Sequence, residues 1–173
     1  MSSIFYRTIT QSGVELWIDV GWGVDALLGE QTRPYEDLDI AIQKKDVPVL
    51  RHLLQERGYT DIKLEDARHW NFALGDENGR EIDVHVIEPD DQGDGIYGPP
   101  EKREKYPPAS LTGTGNIDGQ AVRCVSPEWM VKFHSGYDLR DKDFRDVSAL
   151  CKKFGIELPA VYEWFKERIS KPS

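Results

Sequence analysis

At 173 residues, with 39% apolar side chains and five tryptophans, the chain can bury one proper core and does not have a disordered composition. A net charge of −9 argues against a nucleic-acid partner, because a phosphate backbone demands clustered Lys and Arg. No apolar run is long enough to span a bilayer, the N-terminus lacks a secretory pattern, and Cys124 and Cys151 suit neither a disulfide framework nor a zinc site. A reduced cytoplasmic protein without a membrane partner is expected.

Residues 1–13 are weakly patterned and fit a short helix or an extended arm equally. Leu16 to Val20 reads as a strand, Gly21, Trp22 and Gly23 as a glycine turn, and Val24 to Leu28 as a short helix. After a loop, Asp37 to Ile42 reads as a second strand. Asp46 is placed to cap a helix through Val47, Leu50, Leu53 and Leu54, which Gly58 then stops. Tyr59 to Leu64 is a candidate strand. Trp70 to Leu74 and Glu81 to Val86 form a hairpin about Asp76-Glu77-Asn78-Gly79, since Asn-Gly is a strong turn signal.

Residues 88–118 are rich in Pro, Gly and Asp, show little periodicity and read as one long loop. Gln120 to Val125 is a last strand, and Ser126-Pro127 opens a helix by the N-cap plus proline pattern. The remainder is helical over Glu128 to His134, Lys142 to Phe154 and Pro159 to Ile169. The organisation is an α/β sheet half, residues 1–125, followed by a helical half, residues 126–173.

In the second strand Leu38, Ile40 and Ile42 alternate with Asp37, Asp39 and Ala41, so two carboxylates emerge on one side above an apolar floor. Two anions that close repel unless a cation lies between them, and a carboxylate pair on rigid strand is a natural magnesium seat. Ile82, Val84 and Val86 likewise alternate with Glu81, Asp83 and His85. If the two strands are neighbours with their apolar faces inward, Asp83 joins the pair.

The glycines at 21 and 23 lead into a helix whose backbone N–H groups can meet phosphate. Arg33, just before the pair, is placed to reach a nucleotide's phosphate tail. Trp22 can stack on a base or fill the core, and His85 and His134 lack a nucleophile with triad logic around them. Asp-x-Asp alone is weak: Asp141 and Asp143 repeat it in a helical stretch where the side chains diverge. It is the combination of glycine turn, helix, Asp-x-Asp strand and later Asp that points to metal-assisted chemistry on a nucleotide.

The run G-W-G-V-D-A-L-L-G-x-Q-T-R-x-x-x-D-L-D-I, with I-D-V-H-V, V-R-C-V-S-P-E and F-H-S-G-Y-D-L after it, resembles the DNA polymerase β-like nucleotidyltransferase superfamily. Within it, the chain is similar to the lincosamide and aminoglycoside 2''-O-nucleotidyltransferases. The resemblance covers about Trp17 to Phe154. It implies a mixed sheet with flanking helices and a C-terminal helical region shaping the acceptor pocket. It also implies Asp37 and Asp39 as Mg²⁺ ligands, and Asp83 as general base for the acceptor hydroxyl and a further metal ligand. Gly21 and Trp22 correspond to the triphosphate-binding element, and Arg33 to the basic residue before the Asp pair.

One departure stands out: the family shows two glycines where this chain has Val20-Gly21. If a positive φ is needed at position 20, valine hinders nucleotide binding. The function implied is transfer of a nucleoside monophosphate from an NTP, ATP or GTP, to a hydroxyl of a small acceptor, an antibiotic that can be cationic. A homodimer is open. The alternatives are a silent nucleotide-binding or antitoxin-like module, and a transferase acting on a protein or biosynthetic intermediate.

Overall fold

The computed structural model describes residues 3–63, 68–99, 101–102, 104–136 and 139–169. Apolar alternation organises it. Helix α1 (Ser3–Gln11) takes up the first stretch, burying Tyr6 and Ile9, and the Tyr6 hydroxyl accepts the Arg123 backbone N–H at 2.8 Å. Strand β1 (Leu16–Ile18) follows and is buried throughout. It ends two residues earlier than its pattern predicts, because Asp19 caps helix α2 (Val20–Leu28).

The expected glycine turn is therefore helix: Gly21 and Gly23 lie in the first turn of α2. Glycine is required there by close approach. A Cβ at position 21 would run into the Tyr35 ring, and one at position 23 into Met130 and the Ile18 carbonyl. Gly29, at φ 79°, closes the helix.

Strand β2 (Asp37–Gln43) matches its alternation. Helix α3 (Val47–Gln55) forms as its period predicts, but Asp46 makes no side-chain cap bond; its carboxylate accepts the Glu15 N–H instead. Gly58 follows the helix with φ 83°. Strand β3 (Thr60–Ile62) is shorter than expected, and Leu64 lies outside the described residues. Strands β4 (Asn71–Gly75) and β5 (Glu81–Pro89) form the predicted hairpin, where Asp76 accepts the N–H groups of Asn78 and Arg80.

The long loop is the main correction. It contains β6 (Gly95–Tyr97), β7 (Glu104–Tyr106), a 3₁₀ turn at Pro108–Thr112 and β8 (Gly113–Ile117). Strands of three residues are too short to register an alternation, and β8 carries glycine at two of five positions. Strand β9 (Gln120–Cys124) pairs with β8. Helices α4 (Pro127–Phe133), α5 (Asp141–Phe154) and α6 (Ala160–Ile169) complete the chain. Ser126 precedes α4 as expected but makes no side-chain cap bond. Tyr137 and Asp138 of the F-H-S-G-Y-D-L run lie outside the described residues.

The main sheet runs β3-β4-β5-β2-β1-β9-β8, and β6 and β7 extend from the far end of β5. It is mixed: β2 pairs with β5, and β1 with β9, in parallel, while the other pairs are antiparallel. The fold is α+β. One apolar cluster runs from Tyr6 of α1 through the sheet to Tyr162 of α6. No helix among the described residues is long and apolar enough to cross a membrane, and Cys124 and Cys151 are buried free thiols.

Candidate active site

Three carboxylates meet where β2 and β5 run side by side. The parallel register sets Asp39 opposite Asp83 and Asp37 opposite Glu81. Because strand side chains alternate, Asp37, Asp39 and Asp83 share a face, and one oxygen from each lies within 4.8 Å of the others. On the other face Leu38, Ile40, Ile82 and Val84 are buried. A one-residue slip would expose them, so core packing fixes the cluster.

The cluster is electrostatically unfinished. Burial raises the Asp39 carboxyl to about 7, with repulsion from Asp37, Asp19 and Asp83 adding to it while His85 opposes. Three full charges are thus not sustained at neutral pH without a counter-ion. An all-carboxylate donor set under that strain fits a hard divalent cation such as Mg²⁺.

Asp19 is the site residue that sequence reasoning passed over. It is 3% exposed, and its backbone N–H donates to the Asp39 carbonyl at 2.9 Å, which fixes the start of α2 beside β2. One carboxylate oxygen accepts the Val20 N–H at 2.8 Å; the other accepts the Tyr106 hydroxyl at 2.7 Å. His85 Nδ1 lies 3.5 Å from that second oxygen. Burial resists the charge on Asp19, but the bonds from His85, Tyr106 and Val20 prevail and lower its pKa. His85 is raised: burial opposes its charge, and Asp19, Asp39 and Asp83 outweigh that. Half-buried beside Asp19, His85 has no triad around it, and its neighbouring carboxylates favour its charged form. An Asp immediately before a helix is an N-cap signal, and it was hidden only because the helix was expected to begin at Val24.

Val20, the first residue of α2, has φ 46°. A β-branched residue at positive φ is strained, and such strain persists only where the surroundings over-determine it. Here Asp19 holds the Val20 N–H and Tyr106 holds Asp19. The positive φ that a family glycine would adopt freely is therefore present in this chain, imposed on valine. Gly21 and Trp22 follow in the same turn, and the half-buried Trp22 ring lies 5.3 Å from Tyr35.

Arg33 is not swinging free toward the trio. Asp146 of α5 grips it through two nitrogens at 2.5 and 2.7 Å, and its guanidinium lies 4.5 Å over the Tyr35 ring. The Asp146 side chain is 4% exposed, so the pair ties the helical half to the loop before β2. Asp25, buried in α2, accepts the N–H and hydroxyl of Thr32 and anchors the same loop. His134 is buried and structural, its ring nitrogen 2.9 Å from the Met130 carbonyl and its own carbonyl accepting the Tyr162 hydroxyl.

The sequence profile of the aminoglycoside-2''-adenylyltransferase family matches residues 4–150. A lincosamide resistance protein of Staphylococcus haemolyticus is 32% identical over 140 residues, spanning 79% of this chain and 84% of the relative. The crystal structure of the lincosamide antibiotic adenylyltransferase LnuA, lincomycin-bound, superposes with a TM-score of 0.72 at 28% identity, over 89% of this chain and 96% of that one. ANT(2'')-Ia in complex with adenylyl-2''-tobramycin shares the fold, with a TM-score of 0.69 at 21% identity, over 96% and 98% of the two chains.

Proposed function

Because this chain belongs to the aminoglycoside-2''-adenylyltransferase family and is an enzyme transferring nucleotidyl groups, we propose that it moves a nucleoside monophosphate from ATP or GTP to a hydroxyl of a lincosamide or aminoglycoside antibiotic, with Mg²⁺ as cofactor. The observation that carries this reading is the meeting of Asp37, Asp39 and Asp83 within 4.8 Å. Asp37 and Asp39, with Asp83 beside them, are the residues that would hold the cation; when bound, it neutralises charge at the α-phosphoryl group and eases ionisation of the hydroxyl.

Asp83 orients the acceptor hydroxyl and takes its proton. The hydroxyl oxygen bonds to the α-phosphorus, the bond to the β-phosphate's bridging oxygen breaks, and pyrophosphate leaves in line. The N–H groups of Gly21 and Trp22 face the donor's phosphates at the start of α2. Arg33, oriented by Asp146, flanks that tail. Residues 1–125 carry the chemistry, and residues 126–173 brace it through Asp146. An enzyme that draws on the NTP pool is expected to work in the cytoplasm.

Incubating the protein with ATP or GTP, Mg²⁺ and lincomycin or tobramycin tests the reading by mass spectrometry. An antibiotic heavier by one nucleotide, with stoichiometric pyrophosphate, is expected. No adduct with any combination would overturn it. The strained Val20 favours a second reading, a silent nucleotide-binding module, which predicts nucleotide affinity indifferent to Mg²⁺.

A further inference from the structure

Tyr106 closes β7, and its buried hydroxyl is the far end of a strut that begins at the α2 N-terminus. The hydroxyl donates to the second Asp19 oxygen at 2.7 Å and lies 3.3 Å from His85 Nδ1. Its ring packs against Phe133 of α4 and Tyr97 of β6, with centroids 5.0 and 5.9 Å away. Burial and the Asp19 charge raise the hydroxyl well above the ordinary tyrosine value, so it remains a donor at neutral pH. The Asp19 backbone is already fixed on both sides, its N–H on the Asp39 carbonyl at 2.9 Å and its carbonyl accepting the Gly23 N–H at 3.1 Å. What Tyr106 adds is the direction of the Asp19 carboxylate.

The other oxygen of that carboxylate holds the N–H of Val20, whose φ is 46°. Val20 and Asp118 are the non-glycine residues at positive φ among the described residues. Asp118 sits in the β8–β9 turn, where aspartate tolerates that conformation. Valine does not, because its branched side chain crowds the backbone and favours a return to negative φ. That return would rotate the peptide planes of Gly21 and Trp22, whose N–H groups the transferase reading sets against the donor's phosphates. Resting on that reading, we propose that Tyr106 is a positioning residue for the nucleotide: acting through Asp19, it holds valine in a conformation that glycine takes unaided. The valine creates the requirement. With glycine at position 20 the helix start needs no outside hold, and the Tyr106 hydroxyl becomes dispensable for nucleotide binding.

A double-mutant cycle of Tyr106→Phe and Val20→Gly tests this, read by calorimetric titration of the full chain with a non-hydrolysable ATP analogue and Mg²⁺. Phenylalanine keeps the ring contacts and removes the hydroxyl alone. Tyr106→Phe is expected to weaken the analogue about tenfold, and to raise the KM for NTP by a like factor with kcat within about twofold. Added to Val20→Gly, the same substitution is expected to leave affinity within about twofold of Val20→Gly alone. Wild-type affinity in Tyr106→Phe, or an equal loss on both backgrounds, would overturn the proposal. If the single variant does not fold, the double variant, which carries no strained residue at position 20, decides alone: a loss of about tenfold against Val20→Gly overturns it. Failure of the transferase reading shows separately, as wild-type protein that releases no pyrophosphate while the cycle still reads in analogue affinity.

Discussion

Asp39 is where the charge balance of the molecule is most exposed to experiment. Its folded pKa of about 7 lies above the ordinary 3.8, so between those values the native state holds a proton that the unfolded chain has lost. Metal-free protein is therefore expected to lose stability as pH rises through that window. The raised His85 works in the same direction, its contribution lost as pH rises through its folded value, whereas the lowered Asp19 contributes above 3.8 and loses it only in acid. Mg²⁺ separates these effects: its stabilising shift in melting temperature should be larger at pH 8 than at pH 5.5, and Asp39→Asn should abolish the response. The same substitution should lower turnover about 10³-fold, the scale of losing a preorganised electrostatic group. At Val20 the expectation is a gain. Val20→Gly removes the strain of a positive φ and should raise stability by about 1 kcal/mol, or about 2–4 °C in melting temperature, with nucleotide affinity kept or improved. A lower melting temperature would mean that the side chain's packing outweighs its strain.

Helix α2 is the element on which the site turns, and glycine contacts pin it from several sides. Tyr35 lies against Gly21, Met130 and the Ile18 carbonyl against Gly23, and Gly115 of β8 sits under Ala26 with no room for a methyl group. Gly115→Ala is therefore expected to push α2 off the sheet, costing about 1–3 kcal/mol and lowering melting temperature by about 3–10 °C. Displacement of the α2 N-terminus should raise the KM for NTP more than it lowers kcat; an unchanged KM would detach α2 from nucleotide binding. The same packing explains why the helix start was misread. Glycine costs a helix about 1 kcal/mol relative to alanine, so two glycines in four residues read as a turn until close approach is seen to demand them. Strands β2 and β5 were legible because their side chains alternate over a whole strand. Strands β6, β7 and β8 were not, being too short or too glycine-rich to carry a pattern.

At the scale of the whole molecule, the site is assembled by one register and several long-range ties. The register was legible: the face of Asp83 follows from alternation once β5 lies beside β2, and the structure sets Asp83 opposite Asp39. The ties were not. Tyr106 reaches Asp19 from 87 positions away and Asp146 reaches Arg33 from 113, and no local spacing announces such pairs. What they do is physical: they hold a strained helix start and a charged loop against a cluster of anions that resists full ionisation. The most direct measurement is anomalous scattering from Mn²⁺ in crystals grown with a non-hydrolysable ATP analogue. The account predicts a metal peak coordinated by Asp37 and Asp39 and facing Asp83, absent in Asp39→Asn crystals. A peak elsewhere, or one that survives that substitution, would contradict it.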